Sequence, residues 1–137
     1  MNTDSAKKWD FSRFKPDIVS IALGTNDLSD GDGKKYREPF SADTFSVGYI
    51  RFVETIYKNY PKTKLALLTS PILSGKKDSI LISCLQRVKD HFAEKKIEIF
   101  RFPGITPHGC DYHPLKEEQQ RMADTIVPFF ENLMKTN

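Results

Sequence analysis

Residues 18–27 read IVSIALGTND, and this stretch decides the fold class. Its first six residues are apolar apart from one serine and rich in β-branched side chains, which is typical of a strand buried on both faces of a parallel sheet. The next four, Gly24 to Asp27, supply the glycine and the Asn-Asp pair of a tight turn. In an α/β protein such a turn lies at the carboxyl end of a strand, where reacting groups collect.

Two further strand patterns and three helix patterns follow along the chain, in alternation. We predict strands at about 17–23, 64–70 and 96–102, and helices at about 41–59, 78–94 and 114–133, with ends uncertain by ~2–4 residues. Pro114 is expected to open the last helix, because proline suits the first helical position. Pro128 is expected to kink that helix or to mark its fraying end. The alternation predicts right-handed βαβ units and therefore a parallel sheet.

Composition excludes several classes of protein. The 137 residues carry 21 basic and 18 acidic side chains, and the basic ones are scattered, so we expect no nucleic-acid partner. No apolar run is long enough to cross a membrane, and the polar first segment does not have the pattern of a signal peptide. Cys84 and Cys110 do not make a disulfide framework. The chain has the size of about one small domain, with residues 1–16 as a connector.

A second motif, DYHP at residues 111–114, precedes the last predicted helix. Histidine can act as a general base, and an asparagine amide can donate a hydrogen bond to an oxyanion. Each motif alone also fits a plain structural role, as a turn at residues 24–27 and as a helix cap or surface residue at His113. Together, about 90 residues apart with two βα units between them, they are far more specific.

Two metal-site readings fail on residue types. His108 invites a zinc site with Asp111 and His113, but no third convincing ligand has the right spacing and Cys110 alone does not complete the set. Residues 27–38 begin and end with acidic side chains as a calcium loop does, yet the turn glycine is replaced by Asp32 and a strand precedes the loop. We therefore predict neither a metal nor a cofactor.

The two motifs together resemble the SGNH (GDSL-type) hydrolase superfamily. The matching residues are Gly24, Asn26, Asp27 and His113. More narrowly, residues 16–27 and 109–114 resemble carbohydrate esterase family two, the acetyl-xylan type. The resemblance implies a flavodoxin-like, three-layer α/β/α fold with a parallel sheet. It covers nearly all of residues 1–137, but only the C-terminal part of the family's catalytic domain, so the first strands are expected to be absent.

The resemblance also implies residue roles. Asn26 would contribute its amide to the oxyanion hole, with Gly24 and Tyr112 as further substrate-binding residues. His113 would take the proton from a serine nucleophile, and Asp27 would hold the turn. The superfamily places an aspartate three residues before the histidine, where this chain has a cysteine. Asp111 is therefore the candidate to orient His113 at Nδ1, and a backbone carbonyl, which would leave a Ser–His dyad, is the alternative.

The Gly-Asp-Ser nucleophile motif of the superfamily lies upstream of these motifs, and none of the ten serines here sits in such a motif. We therefore expect this chain to be part of an esterase that acts on O-acetyl groups of xylan-like carbohydrates. The nucleophile of that esterase is expected upstream of these residues, so this chain alone is expected to be inactive. The alternative is a non-catalytic carbohydrate-binding or scaffold module, with Trp9, Tyr36 and Tyr112 stacking on sugars.

The chain does not define its compartment, and secretion or periplasmic export is the expectation for the intact protein. Without its neighbouring strand, residues 17–23 are expected to be an exposed edge. The isolated chain is then expected either to self-associate through this strand or to be ordered only when the missing part is nearby.

Overall fold

Three parallel strands and three long helices form the fold. The computed structural model describes residues 9–31, 33–34 and 36–136. In chain order the elements are β1 (Ile18–Ile21), α1 (Ala42–Asn59), β2 (Lys64–Leu68), α2 (Gly75–His91), β3 (Ile97–Phe100) and α3 (Lys116–Lys135), with short 3-10 turns at Phe11–Arg13 and Cys110–Tyr112. The predicted order and direction of the elements are confirmed. Each strand ends two residues before its predicted limit, so those residues belong to the loops at the carboxyl edge.

The sheet has the order β1-β2-β3, and both pairs of strands are parallel. Leu65 of β2 lies opposite Val19 on one side and Ile97 on the other. Since consecutive strands are neighbours in space, both crossovers run in the same direction and place α1 and α2 on one face of the sheet. Among the described residues, β1 and β3 are the two edges, and Ser20 of β1 is exposed.

Side-chain alternation along β2 separates two cores. Leu65 and Leu67 point into the larger core, which α1 and α2 close with buried residues such as Val53 and Leu85. Ala66 and Leu68 point to the opposite face, where α3 packs its buried Leu133 together with several phenylalanines. Burial of each such leucine stabilises the fold by roughly 1.5–3 kcal/mol. The result is the three-layer α/β/α arrangement implied by the resemblance.

A lysine fastens the end of α3 to the start of β2. Lys64 Nζ donates hydrogen bonds to the carbonyls of Leu133, Met134 and Thr136, at 3.1, 3.1 and 2.6 Å. A cation at this position also complements the negative end of the helix dipole. The contact fixes the C-terminal end of α3 against the sheet.

The boundaries of α3 correct two expectations. Pro114 does not open the helix, which begins at Lys116 after Leu115. Glu118 accepts a hydrogen bond from the Leu115 N–H at 2.7 Å, so a capping side chain decides where the helix starts. Pro128 does not mark a fraying end, because α3 continues through it to Lys135, and the alternative of a kink stays a prediction.

The first segment is described only from residue 9 onward. Asp10 caps the 3-10 turn by accepting from the Ser12 N–H at 2.9 Å, and the Phe11 ring meets Tyr60 edge-on at 5.7 Å. Trp9 and Phe14 are exposed. Among the described residues, no helix combines the length and apolar character that a transmembrane segment requires.

Candidate active site at the carboxyl edge of the sheet

Gly24 makes the sharp turn after β1. Its φ is +112°, and an added Cβ would lie 2.5 Å from Leu81 Cδ1 and 3.2 Å from Phe45 Cζ. Only glycine fits this backbone and this space. The contacts of Gly24 in the structure are therefore those of packing under α1 and α2, while its predicted contact with substrate stays a prediction.

Asn26 follows on the exposed side of the turn. Its backbone carbonyl accepts from Arg37 Nη1 at 2.9 Å and from the Ser29 N–H at 3.3 Å. Its side-chain amide makes no hydrogen bond to any residue in the described part of the chain. An amide that is free while its backbone is held is suited to donate to an incoming oxyanion.

Arg37, and not Asp27, holds this turn. Besides Asn26, Arg37 Nη1 reaches the Ser29 carbonyl and Oγ at 3.4 and 3.3 Å. The Asp27 carboxylate has no hydrogen-bond partner within the described residues, so its expected role in holding the turn is not seen. Sequence reasoning missed Arg37 because it lies in an irregular loop with no periodic or motif signal.

An open cavity of about 860 Å³ lies beside Asn26, between the loop and α1. Asn26, Asp27 and Arg37 are among its polar lining residues, and Phe45 and Phe52 are among its apolar ones. Tyr49 also lines the cavity, and burial raises the pKa of its hydroxyl. All lining residues come from the span 23–52, so His113 is not among them.

A closed turn carries the second motif. The Gly109 N–H donates to the His113 carbonyl at 2.9 Å, and the His113 N–H donates to the Cys110 carbonyl at 3.0 Å. Asp111 occupies the left-handed region at φ 51°, which aspartate tolerates better than most residues. A Cβ added to Gly109 would lie 2.5 Å from the His113 carbonyl oxygen. The tightness of this turn therefore depends on glycine at 109.

The His113 ring is exposed, and its Nδ1 lies 3.2 Å from the Cys110 carbonyl. With a proton on Nδ1 donated to that carbonyl, Nε2 keeps its lone pair and can act as a base. No hydrogen bond joins the Asp111 carboxylate to this ring in the described part of the structure. The carbonyl thus occupies the orienting position that the sequence left open, and a catalytic role for Asp111 stays a prediction.

The aromatic candidates for sugar contact are placed unequally. The side chain of Tyr112 lies outside the described part of the structure, so its predicted contact with substrate is not located. Tyr36 is exposed, with its hydroxyl 3.4 Å from Glu38 Oε2, and Trp9 is exposed in the first segment. Neither Trp9 nor Tyr36 lines the cavity beside Asn26.

The loops that carry Asn26 and His113 start at the same edge of the sheet. The loops that carry them follow β1 and β3, and β2 lies between these strands. Adjacent strands are ~4.8 Å apart, so the ends of β1 and β3 are about 10 Å apart. Convergence of the two side chains on one substrate stays a prediction.

His108 has a partner that sequence reasoning missed. Its Nδ1 lies 2.5 Å from Oε1 of Glu118, a buried residue in the first turn of α3. Glu118 showed no clear signal in the sequence, because the residue it caps is Leu115 and not the usual serine or threonine. Within the described residues, no group of three or more His, Cys, Asp or Glu side chains is placed to hold a metal ion.

Comparison with known proteins points to one group of enzymes, although no protein-family model matches the chain. The chain is 28% identical over 133 residues to an acetylxylan esterase / glucomannan deacetylase of Cellvibrio japonicus (strain Ueda107), an alignment that covers 97% of this chain and 35% of that protein. A family two carbohydrate esterase from Cellvibrio japonicus superposes with a TM-score of 0.83 at 28% identity, covering 98% of this chain and 38% of that one.

A second solved structure, a family two carbohydrate esterase from Clostridium thermocellum in complex with cellohexaose, has a TM-score of 0.81 at 27% identity and is covered over 39% of its length. The resemblance to family two carbohydrate esterases is thus confirmed in sequence and in fold. The chain spans about a third of the length of the first curated relative, 35%.

Proposed function

We propose that these residues form the C-terminal part of a serine esterase that removes O-acetyl groups from xylan-like carbohydrates. One observation carries the proposal. The exposed His113 ring has its Nδ1 3.2 Å from the Cys110 carbonyl, in a loop that leaves β3 at the same edge of the sheet as the Asn26 loop leaves β1. Relatives of the chain are carbohydrate esterases, which supports the proposal. The substrate class follows the name of the relative, an acetylxylan esterase / glucomannan deacetylase.

The geometry suggests how the reaction proceeds. His113 Nε2 takes the proton from a serine hydroxyl as the serine oxygen attacks the acetyl carbonyl carbon. The Asn26 amide donates to the oxygen that becomes negative. The imidazolium then returns the proton to the sugar oxygen, and the C–O bond to the sugar breaks. Water, activated by the same ring, releases acetate and regenerates the serine. Asp111 acts in this proposal only if it replaces the carbonyl at Nδ1.

The proposal places the nucleophile N-terminal to these 137 residues, on a strand beside β1. None of the ten serines has the Gly-Asp-Ser setting. Ser29 contacts Arg37, Ser70 is buried after β2, and Ser20 lies on the exposed edge. We therefore expect this chain alone to be inactive. An open β1 edge with exposed Ala22 and Leu23 after it also supports self-association through residues 17–23, which sedimentation of the isolated chain would measure.

A non-catalytic carbohydrate-binding or scaffold module is the second candidate. Exposed Trp9 and Tyr36 favour it, because aromatic faces can stack on sugars. The solved relative in complex with cellohexaose shows that a protein of this group holds a glucan chain.

Acetate release from acetylated xylan distinguishes the two candidates. We expect none from the 137-residue chain and turnover from a chain extended by the coding sequence upstream. In the extended chain, His113→Ala should lower turnover by about 10⁴-fold, since general base catalysis is lost. His91→Ala, at an exposed histidine at the end of α2, is the matched control and should act like wild type. Binding of cellohexaose without acetate release by the extended chain would favour the binding module.

A further inference from the structure

Glu118 is a buried carboxylate, 4% exposed, with three donors around it. Oε2 accepts from the Leu115 N–H at 2.7 Å and from the His108 N–H at 3.3 Å. Oε1 lies 2.5 Å from Nδ1 of the His108 ring. Charge-assisted hydrogen bonds of this kind are stronger than neutral ones, and more so where water is excluded.

The partners of Glu118 lie on both sides of His113 in the chain. His108 is five residues before it and Leu115 is two residues after it. One side chain therefore joins the two ends of the segment 108–115. Inside that segment, the hydrogen bonds of Gly109 and His113 close the turn that holds the ring on the Cys110 carbonyl.

The protonation state of Glu118 suits this role. The hydrogen bond from the His108 ring, followed by that from the Leu115 N–H, lowers the pKa of the carboxyl. The pKa of Glu118 is lower in the folded chain than in the unfolded one. The carboxylate therefore stabilises the fold fully at any pH above its pKa in the unfolded chain. That stabilisation is lost as the pH falls through the pKa of Glu118 in the folded chain. At neutral pH the group is ionised and accepts from all three donors.

We propose that Glu118 is a positioning residue for His113, acting by closing the segment 108–115 so that Nδ1 stays on the Cys110 carbonyl and Nε2 faces substrate. Its effect on catalysis rests on the proposed esterase function. Its effect on the His113 turn does not, and can be measured without any substrate.

The first test measures amide hydrogen exchange and ring ¹⁵N shifts by NMR in the 137-residue chain. Glu118→Gln keeps the size of the side chain but removes its charge and one acceptor. We expect the Gly109 and His113 amides to exchange about 10–100-fold faster, with a shifted His113 ring signal, while the amides of β2 stay unchanged. Glu117→Gln, at the exposed neighbouring residue in the same helix turn, should change none of these.

A second pair of variants keeps the test decisive if Glu118→Gln does not fold. His108→Ala removes the ring contact and should loosen the same two amides. His108→Asn puts an amide nitrogen near the place of Nδ1 and should restore most of their protection. Unchanged exchange at Gly109 and His113 in Glu118→Gln and His108→Ala, or equal acceleration at β2, would overturn the proposal.

Catalysis is measured on the upstream-extended chain with acetylated xylan as substrate. We expect Glu118→Gln to lower kcat about tenfold and to leave KM unchanged, because the ring loses orientation and the sugar contacts do not. An extended wild-type chain without esterase activity would refute the proposed function, while the exchange result would still decide the role of Glu118 in the turn. Normal kcat in a Glu118→Gln enzyme with a loosened turn would refute its positioning role.

Discussion

The two loops that carry the candidate site are built alike but held differently. Each contains a glycine at which an added Cβ would lie 2.5 Å from a neighbouring atom, Gly24 after β1 and Gly109 after β3. Each is tied by one charged side chain. The Asn26 turn is held by Arg37, which is exposed, and the His113 turn is closed by Glu118, which is buried.

The difference in burial predicts a difference in stiffness. Water competes with the hydrogen bonds of an exposed side chain, so such contacts contribute little. The Glu118 carboxylate is buried, although the His108 side chain it contacts is 68% exposed, so water competes less for its hydrogen bonds. We therefore expect the His113 turn to be the stiffer of the two. A stiff turn is more useful for the His113 base, whose ring must be oriented before the reaction. It is less important for the Asn26 amide, whose hydrogen bond to the oxyanion forms only in the transition state.

The largest effect that sharpens this comparison is expected at Asn26. In the extended chain, Asn26→Ala should lower kcat by about 10²–10³-fold with little change in KM, as for the loss of one oxyanion donor. Asn59→Ala is the control, at the end of α1, where the side-chain amide donates to the Thr55 carbonyl and to no other described residue. Steady-state kinetics on acetylated xylan measure both. Equal kinetics for the two variants would remove Asn26 from the site.

Alanine substitutions at Gly24 and Gly109 should lower the free energy of unfolding by different amounts. Gly24→Ala meets both a left-handed backbone and the Leu81 side chain, whereas Gly109→Ala meets only the His113 carbonyl. Urea unfolding should show Gly109→Ala destabilised by about 1–3 kcal/mol and Gly24→Ala by more, since the left-handed backbone adds roughly 1–2 kcal/mol. Gly104→Ala, where the added Cβ has open space, should be near wild type. If Gly109→Ala were as stable as wild type, the backbone of the turn would be able to shift away from the added Cβ.

A smaller effect is expected at Arg37. Arg37→Ala should lower kcat by no more than about fivefold, because an exposed contact contributes up to ~1 kcal/mol. It should also increase amide exchange at Ser29, whose N–H bonds to the Asn26 carbonyl. Arg51→Ala, on the exposed side of α1, is the control. A loss in Arg37→Ala as large as that of Asn26→Ala would reverse the comparison of the two loops.

The smallest effect is expected at Asp111. Asp111→Asn keeps a residue that tolerates the left-handed backbone and removes the carboxylate. Because the Cys110 carbonyl contacts Nδ1, kcat should fall less than about tenfold. Steady-state kinetics of Asp111→Asn and His113→Ala on acetylated xylan measure the difference. A loss near that of His113→Ala would restore Asp111 as the orienting residue of a triad.

The sequence by itself determined the architecture and the two residues of greatest interest. Local periodicity sets strand and helix, so the apolar run 18–23 and its two counterparts were enough to predict the parallel sheet. Asn26 and His113 could be named as candidates because each sits in a short motif directly after a strand or before a helix, and their roles stay predictions. The helix 114–133 was predicted to within the stated ~2–4 residues, but Pro114 is not its first residue, because the Glu118 cap on Leu115 sets the start and is a contact that the local sequence does not show.

Only the tertiary structure decided how those two residues are held. Arg37 reaches a carbonyl eleven residues away, and Glu118 joins His108 to Leu115 across a turn. Neither contact is indicated by a periodic pattern or a motif in the sequence, because each depends on where the folded backbone brings a long side chain. The choice of the Cys110 carbonyl at His113 Nδ1 has the same origin. It depends on the left-handed backbone at Asp111 and on the close approach of Gly109, which residue types permit but do not require.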